Sequence, residues 1–434
     1  MTKINKTGYW FDYSSFIGGE DRDHAYSIAV NDSGEAYVAG ITRSSRFPVT
    51  VKSFDPSYNG IQDGYIFKLT ADGADLIFST YFGGLMEDTV TKVTVDPAGN
   101  SYITGFTMSD DFPTTSTAYN RVFNGYSDTS PYPGDAFISK LSSDGSMLMY
   151  STYIGGANDD SGHGISLDSD NNAYIAGQTS SPDFPVTPGA YSDTPASYNV
   201  YMCKLSADGE TILYSTFIGP GSGMEVVVDS SRNAFIGGYA FEGYPATPGA
   251  FDTTIGTHYS HVGFITKLNP GGTDLIYSTF LGGESTSILA LAIDPSGNAY
   301  VTGDTSFSDF PTTPGALDGK LGDGTHTYSD AFLSILRADG STLLYSTFIG
   351  GSFDDYARGI AIDTSQNIYL SGWTRSNDFP MSHWSFDNTF NGGEDVFVLK
   401  FNLSSTTVPL IDNICLIILI LAPLFVLKIN SSIK

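Results

Sequence analysis

The sequence predicts an all-β fold, a six-bladed β-propeller built from four-stranded antiparallel blades. Two observations lead to it: a segment of the form Tyr-Ser-Thr-Tyr-Ile-Gly-Gly recurs along the chain, and four short apolar runs follow one another in the same order in each copy. The copies lie too far apart for solenoid repeats of roughly 20–50 residues, and they show no helical spacing. The six copies begin at Tyr13, Phe78, Tyr150, Tyr214, Tyr277 and Tyr345.

The apolar runs have the composition and length of strands. They are rich in β-branched and aromatic residues and are bounded by Gly, Pro, Asn and Asp. Residues 96–100 and 143–145 supply Gly and Asn, which reverse a chain tightly between antiparallel strands. In the second copy the four runs are residues 90–96, 100–107, 135–141 and 147–156.

The chain ends suggest how the ring closes. The last copy stops near residues 395–403 without a fourth strand, whereas the chain starts with such a strand at residues 9–17. We therefore expect the N-terminal strand to complete the last blade, since this leaves no exposed sheet edge. The predicted propeller domain spans residues 8–404.

The repeated motif resembles the SBBP family of bacterial and archaeal β-propeller repeats. The motif combines Gly-Gly, a pair of acidic residues, an Asn-x-Tyr strand and an Asp-Phe-Pro segment. The last of these occurs in copies two, three, five and six, at 109–113, 181–185, 308–311 and 377–380. The resemblance covers residues 13–403. It implies a propeller found mostly in secreted or surface proteins and usually without a defined reaction, although the family name refers to seven blades and this chain has six copies.

The charge of the chain restricts its partners. Acidic residues outnumber basic ones 47 to 20, which gives a net charge of -27. Such a protein repels nucleic acid and anionic lipid, since both are bound through Lys and Arg. Glycans, proteins and small cations are better-matched partners. The two cysteines, Cys203 and Cys415, lie far apart and indicate neither a disulfide framework nor a metal site.

The loops between blades carry the candidate metal ligands. Acidic residues follow the Gly-Gly of these loops, and carboxylate oxygens are ligands that Ca²⁺ prefers. The alternative is that each aspartate accepts hydrogen bonds from the amides of its own loop. The sequence indicates no other cofactor. The candidate ligands are Asp23, Asp88, Asp160 and Asp355.

Aromatic residues in the long loops are the candidate ligand contacts. Tyrosine amid Gly, Ser, Thr and Asn suits recognition of a glycan or protein surface, although the same rings could simply cover the blade ends. The candidates are Tyr126, Tyr132, Tyr198, Tyr259, Tyr328 and Trp384. Lysines recurring in the third strands are read as structural, with stems packed along the blade and ammonium groups in water.

These features predict a non-enzymatic cell-surface interaction or scaffold module that presents one loop face to a glycan, polymer or protein, with Ca²⁺ as a candidate ion. No nucleophile motif is present, and the histidines are scattered over different copies. The alternative is a divergent hydrolase that uses carboxylates at the mouth of the channel.

The C-terminal segment changes abruptly in composition. Residues 405–413 are predicted as a linker, and residues 414–429 as a short hydrophobic helix that serves as a membrane anchor or sorting tail. Lys428 and Lys434 follow the apolar run, so the propeller is expected outside the cell. Residues 1–20 hold no apolar segment that could act as a signal peptide, which leaves two alternatives, an upstream start or a cytosolic propeller.

Overall fold

The computed structural model describes residues 1–402 except 7, 126–133, 256–260, 323, 325–326 and 383–384, together with the backbone of 410–411 and 415–417. The described chain divides into two compact units. The first comprises Met1, Ser14–Ala234 and Leu268–Asp274, and the second comprises Thr2–Tyr13, Phe235–Lys267 and the described residues from Leu275 onward.

The first unit contains two four-stranded antiparallel sheets with strands in chain order. One sheet is formed by β3 (Asp23–Val30), β4 (Ala36–Thr42), β5 (Asp63–Leu69) and β6 (Leu76–Phe82). The other is formed by β7 (Asp88–Val95), β8 (Ser101–Thr107), β9 (Asp135–Leu141) and β10 (Leu148–Ile154).

The third and fourth repeats share a seven-stranded sheet in the order β11 to β17. Strand β14 is 17 residues long because it runs without a break through the Gly-Pro-Gly-Ser-Gly segment that replaces the usual loop between repeats. The strands are β11 (Asp160–Leu167), β12 (Ala173–Thr179), β13 (Asn199–Leu205), β14 (Ile212–Val228), β15 (Ala234–Ala240), β16 (Val262–Leu268) and β17 (Leu275–Leu281).

The second unit contains the last two repeats. A four-stranded sheet is formed by β18 (Thr286–Ile293), β19 (Ala299–Thr305), β20 (Asp330–Leu336) and β21 (Leu343–Ile349). A five-stranded sheet is formed by β22 (Asp355–Ile362), β23 (Ile368–Thr374), β24 (Asp395–Asn402), β25 (Leu410–Ile411) and β26 (Cys415–Ile417). At the N-terminus, β1 (Thr2–Ile4) pairs with β2 (Phe11–Ser14).

The fold is therefore an all-β propeller, and every regular element in the described residues is a strand. The prediction of six separate four-stranded blades is wrong in detail. Four sheets have four or five strands, and the third and fourth repeats are merged through β14.

The predicted closure by the N-terminal strand is also wrong. Strand β2 pairs with β1, and β24 instead pairs with β25 and β26 from the C-terminal segment. The Ile- and Leu-rich composition of that segment suits a strand as well as a helix, which explains the difference.

The predicted C-terminal helix is not found either. Cys415–Ile417 is a strand, and the other residues of 414–429 lie outside the described part of the chain. Across the residues described, no helix is long and apolar enough to cross a membrane.

The core of each unit lies between neighbouring sheets. In the first unit Phe112, from an Asp-Phe-Pro segment, packs its ring 4.5 Å from Phe137 and 5.4 Å from Phe82. All three rings are at most 3% exposed. The ring of this recurring Phe-Pro pair therefore fills the space between two sheets.

The recurring third-strand lysines are structural, although their ammonium groups do not reach water as predicted. The side chain of Lys204 is 8% exposed, its Nζ atom lies 4.6 Å from the ring centroid of Tyr174, and the same atom lies 3.0 Å from Oδ2 of Asp168. Asp168 belongs to the tight turn before β12, where its Oδ1 accepts from the amides of Asp170 and Asn172. The lysine thus ties one hairpin turn to the neighbouring strand.

A β-bulge recurs in the first strand of the repeats. In β11 the register shifts between Gly162 and Gly164, which leaves His163 as the extra residue. A glycine stands opposite the bulge on the second strand, and a Cβ at Gly177 would lie 1.9 Å from the carbonyl oxygen of Ser161. The equivalent glycines Gly40, Gly105, Gly303 and Gly372 would also place a Cβ 1.8 or 1.9 Å from a carbonyl oxygen.

Candidate functional site

The four predicted metal-ligating aspartates occupy one repeated position, the first residue of β3, β7, β11 and β22. In each case Oδ2 accepts a hydrogen bond from an amide of the preceding Gly-Gly loop, at 2.6 or 2.7 Å. The turn interpretation therefore accounts for one oxygen of each carboxylate. The aspartates do not converge on one centre, and the described residues contain no group of three His, Cys, Asp or Glu arranged to hold a metal.

Asp23 differs from the other three. Its Oδ1 accepts from the hydroxyl of Thr42 at 2.5 Å, and its Oδ2 accepts from the amide of Gly19 and the hydroxyl of Ser44. Both oxygens of Asp23 are therefore satisfied within the protein. In Asp88, Asp160 and Asp355 the Oδ1 atom is buried and has no partner at normal hydrogen-bond geometry among the described residues. The hydroxyls of Thr107, Thr179 and Thr374 are nevertheless near enough to these carboxyls to oppose the rise in their pKa.

A second set of aspartates, which the sequence analysis missed, faces the first set. Asp63, Asp135 and Asp330 begin the third strand of their sheets, and Oδ2 of each accepts from a loop amide at 2.8 or 2.9 Å. The signal was present in the sequence, because Asp63, Asp135 and Asp330 each begin a third strand, and the loop that follows the next strand ends in an Asp.

Each aspartate of the second set lies close to one of the first set. A Cβ on Gly83 would lie 3.0 Å from Oδ1 of Asp63 and 2.7 Å from Oδ2 of Asp88. A Cβ on Gly155 would likewise lie 2.4 Å from Oδ1 of Asp135 and 2.8 Å from Oδ2 of Asp160. The two carboxylates of each pair are thus within about 6 Å of each other, a distance at which like charges disfavour each other's ionised form.

The third pair, Asp330 and Asp355, lies in the second unit and has the same arrangement. A Cβ on Gly350 would lie 2.5 Å from Oδ1 of Asp330 and 2.8 Å from Oδ2 of Asp355. A single backbone hydrogen bond joins the two sheets beside it, from the amide of Asp355 to the carbonyl of Ser329 at 2.7 Å.

Burial dominates the electrostatics of these carboxyl pairs. The residues Asp63, Asp88, Asp135, Asp160 and Asp355 are at most 2% exposed. Desolvation raises the pKa of Asp88 to about 6 and the pKa of the other four to about 7. The neighbouring carboxylate adds to the rise in the pKa of Asp63 and of Asp135.

The junction between the third and fourth repeats lacks both members of the pair. The equivalent positions there are identified by a hydrogen bond: the amide of Gly221 donates to the carbonyl of Tyr198 at 3.3 Å, as the amide of Asp160 donates to the carbonyl of Gly134. The residues at the two paired positions there are Asn199 and Gly221. The next repeat has Val262 and Thr286 as the first residues of β16 and β18. At the five junctions between successive repeats, both carboxylates are therefore present together or missing together.

A second candidate site lies at the loop end of β22 and β23 in the second unit. Tyr356 and Trp373 stand opposite each other in the strand pairing, and their rings stack at 4.4 Å with an interplanar angle of 19°. The guanidinium of Arg375 lies 5.3 Å from the Trp373 ring centroid and forms ion pairs with Asp354 and Glu394. We call these five residues the Trp373 cluster.

Buried polar groups adjoin the Trp373 cluster. The guanidinium of Arg358 lies 5.6 Å from the Tyr356 ring, and its Nε atom is buried without a hydrogen-bond partner in the described chain. Burial raises the pKa of Asp304 to about 7, while the charge of Arg358 acts in the opposite direction. The residues equivalent to Tyr356 and Trp373 differ between repeats; in β11 and β12, for example, they are Ser161 and Gln178. The fold therefore does not require aromatic side chains at these two positions.

Two of the predicted aromatic contacts can be placed. Tyr328 packs its ring 5.1 Å from that of Phe353, which is 43% exposed and precedes Asp354 of the Trp373 cluster. Tyr198 is 49% exposed and lies just before β13 in the first unit. Tyr126, Tyr132, Tyr259 and Trp384 lie outside the described residues.

The solved structures that match this chain have little sequence in common with it. A Lactobacillus plantarum protein shares 13% identity over 91% of this chain and 88% of its own, with a TM-score of 0.43. Sqt1 of Chaetomium thermophilum shares 11% over 89% and 84%, with a TM-score of 0.41. The WD40 β-propeller domain of Doa1 shares 10% over 82% and 92%, with a TM-score of 0.38. No curated protein sequence matches the chain.

Four segments of the chain match a family model for a β-propeller repeat. The SBBP β-propeller repeat matches residues 77–113, 150–185, 276–311 and 344–380. Each match starts at or near the Tyr-Ser-Thr strand of one repeat and ends at the Phe-Pro pair of the next. These segments contain Asp88, Asp160 and Asp355, and they include the bulged first strands and their glycines. Four segments of this chain therefore match the SBBP β-propeller repeat.

Proposed function

We propose that this protein is a non-enzymatic interaction module that binds an oligosaccharide at the Trp373 cluster. The observation that carries the proposal is the stacked pair Tyr356 and Trp373, flanked by Arg375, at positions that the repeat leaves free to vary. Residues that deviate from an otherwise regular repeat, on the face that carries the long loops, are where a propeller acquires a specific function.

The chemistry of the cluster suits a sugar. Tyr356 and Trp373 are half-buried, so they offer apolar area for the C–H face of a pyranose while staying fixed by their neighbours. Arg375, Asp354 and Glu394 supply hydrogen-bond donors and acceptors at the rim. The net charge of -27 favours a neutral or cationic glycan over an anionic one.

Substitution of Trp373 should remove this binding. We expect the labelled full-length chain to bind a subset of neutral glycans on an array, and Trp373→Ala to reduce the affinity for them at least tenfold, since an aromatic contact at the centre of a site carries about 2 kcal/mol. Trp10→Ala is the matched control, because Trp10 is 70% exposed and lies outside the cluster.

Two results would oppose the proposal. The wild-type chain could fail to bind any glycan, or Trp10→Ala and Trp373→Ala could lose affinity equally. Circular dichroism of both variants shows whether a loss reflects the site or the fold.

We also propose that the module lies at the cell surface. The support is the apolar composition of residues 414–429, the lysines that follow the apolar run and the acidic, Lys-poor character of the rest of the chain. Protease treatment of intact cells is expected to degrade the propeller, with a cytoplasmic protein as the control. Complete protection of the propeller in intact cells, together with its degradation after lysis, would contradict this location.

A further inference from the structure

We propose that each of the three carboxyl pairs, Asp63 with Asp88, Asp135 with Asp160 and Asp330 with Asp355, binds one Ca²⁺ ion between neighbouring sheets. The proposal is independent of glycan binding at the Trp373 cluster. The proposed sites differ from a single site formed by carboxylates at the mouth of the channel, since each ion would have its own pair of aspartate ligands.

The first argument is the state of the Oδ1 atoms. In the pair Asp135 and Asp160, each Oδ2 accepts hydrogen bonds from loop amides or hydroxyls, whereas both Oδ1 atoms are buried and lack a hydrogen-bond partner among the described residues. Asp63 and Asp88 repeat this arrangement. Leaving buried carboxylate oxygens unpaired in two neighbouring carboxyl groups is costly, and a cation bound by both groups offsets that cost.

The second argument is the supply of further oxygens. At the first pair, the absence of a side chain on Gly60 leaves a space lined by oxygen atoms. A Cβ added to Gly60 would lie 2.3 Å from the carbonyl oxygen of Met86 and 2.8 Å from that of Gly84. The same point is 3.1 Å from Oδ1 of Asp63. Carboxylate and backbone carbonyl oxygens together are the ligands that Ca²⁺ prefers, with water completing six to eight contacts.

The third argument is the joint occurrence of the two carboxylates. A turn that needed an aspartate for its own amides would retain it whatever the opposite sheet carries. At the junction between the third and fourth repeats, however, Asn199 and Gly221 replace the two aspartates. At the next junction, Val262 and Thr286 replace them. The two positions change together, as expected if one ligand depends on both.

Calcium titration of the full-length chain tests the proposal. After treatment with EGTA, isothermal titration calorimetry at pH 7.5 is expected to show three Ca²⁺ ions per chain. Asp63→Asn/Asp88→Asn should reduce this number to two, because asparagine keeps the hydrogen-bond acceptor but removes the charge. Asp135→Asn/Asp160→Asn should do the same at the second pair, so that a folding failure of one variant leaves the other as a test.

A matched control removes two carboxylates elsewhere. Asp144 and Asp208 are exposed, occupy equivalent hairpin turns, and accept hydrogen bonds from neighbouring serines. The variant Asp144→Asn/Asp208→Asn is expected to keep all three ions. Absence of Ca²⁺ binding, or an unchanged number of ions in both pair variants, would overturn the proposal and leave a shared proton as the explanation of the pairs.

Discussion

Raising the pH from 5 to 8 in the presence of EGTA is expected to lower the melting temperature of this protein, on the order of 5 °C. The cause is the set of buried carboxyl groups whose pKa is raised to about 6 or 7, among them Asp63, Asp135 and Asp160. A carboxyl with a raised pKa binds its proton more tightly in the folded state than in the unfolded chain. The stability that it contributes is complete below pH 4 and is lost as the pH rises towards 7.

The carboxyl groups with a lowered pKa do not interfere in this range. Hydrogen bonds from Ser142 and Ser146 hold the pKa of Asp144 at about 2, and Asp168 and Asp363 are also lowered, so these groups are ionised throughout. Other groups do titrate between pH 5 and pH 8: Asp304 changes stability in the same direction as the pairs, and His24, His163 and His261 change it in the opposite direction, because burial lowers their pKa. Variants of the pairs are therefore needed to separate the contribution of the pairs.

Differential scanning calorimetry of the wild type and two variants measures the contribution of the pairs. Asp135→Asn/Asp160→Asn should reduce the dependence on pH, since asparagine does not titrate, whereas Asp144→Asn/Asp208→Asn should retain it. An equal pH dependence in all three proteins would show that the pairs do not cause the effect. Saturating Ca²⁺ should also suppress it, because a bound cation replaces the protons.

The repeated parts of the fold could be predicted because local chemistry specifies them. The tight turn at residues 96–100 is confirmed, with the Asn100 amide donating to Oδ1 of Asp96 at 2.9 Å and Gly99 at a φ of 84°. The same holds for the loop aspartates, whose amide contacts lie within four residues. Contacts between residues so close in sequence can be predicted from the sequence of a single copy of the motif.

The remaining features depend on contacts between distant parts of the chain. Asp63 and Asp88 belong to different sheets, so neither strand alone shows that the two carboxylates meet. The ammonium of Lys204, in β13, forms an ion pair with Asp168 in the turn before β12 and does not point into water. The merging of two repeats through β14 follows from a shortened loop, which reads in sequence as an ordinary Gly- and Pro-rich connection.

Gly177→Ala is expected to cause the largest loss of stability, about 3 kcal/mol or more. The added methyl would lie 1.9 Å from the carbonyl oxygen of Ser161 and 3.0 Å from the ring of Tyr201. The oxygen belongs to the backbone of β11 beside its bulge, so a side-chain rotation cannot relieve the clash and the two strands must separate. Gly271→Ala is the control, since its Cβ would meet nothing closer than 3.7 Å. Thermal unfolding should place the control within about 0.5 kcal/mol of the wild type. Similar melting temperatures for the two variants would mean that the sheet yields at the bulge, and that the glycines opposite it are not required by backbone contact.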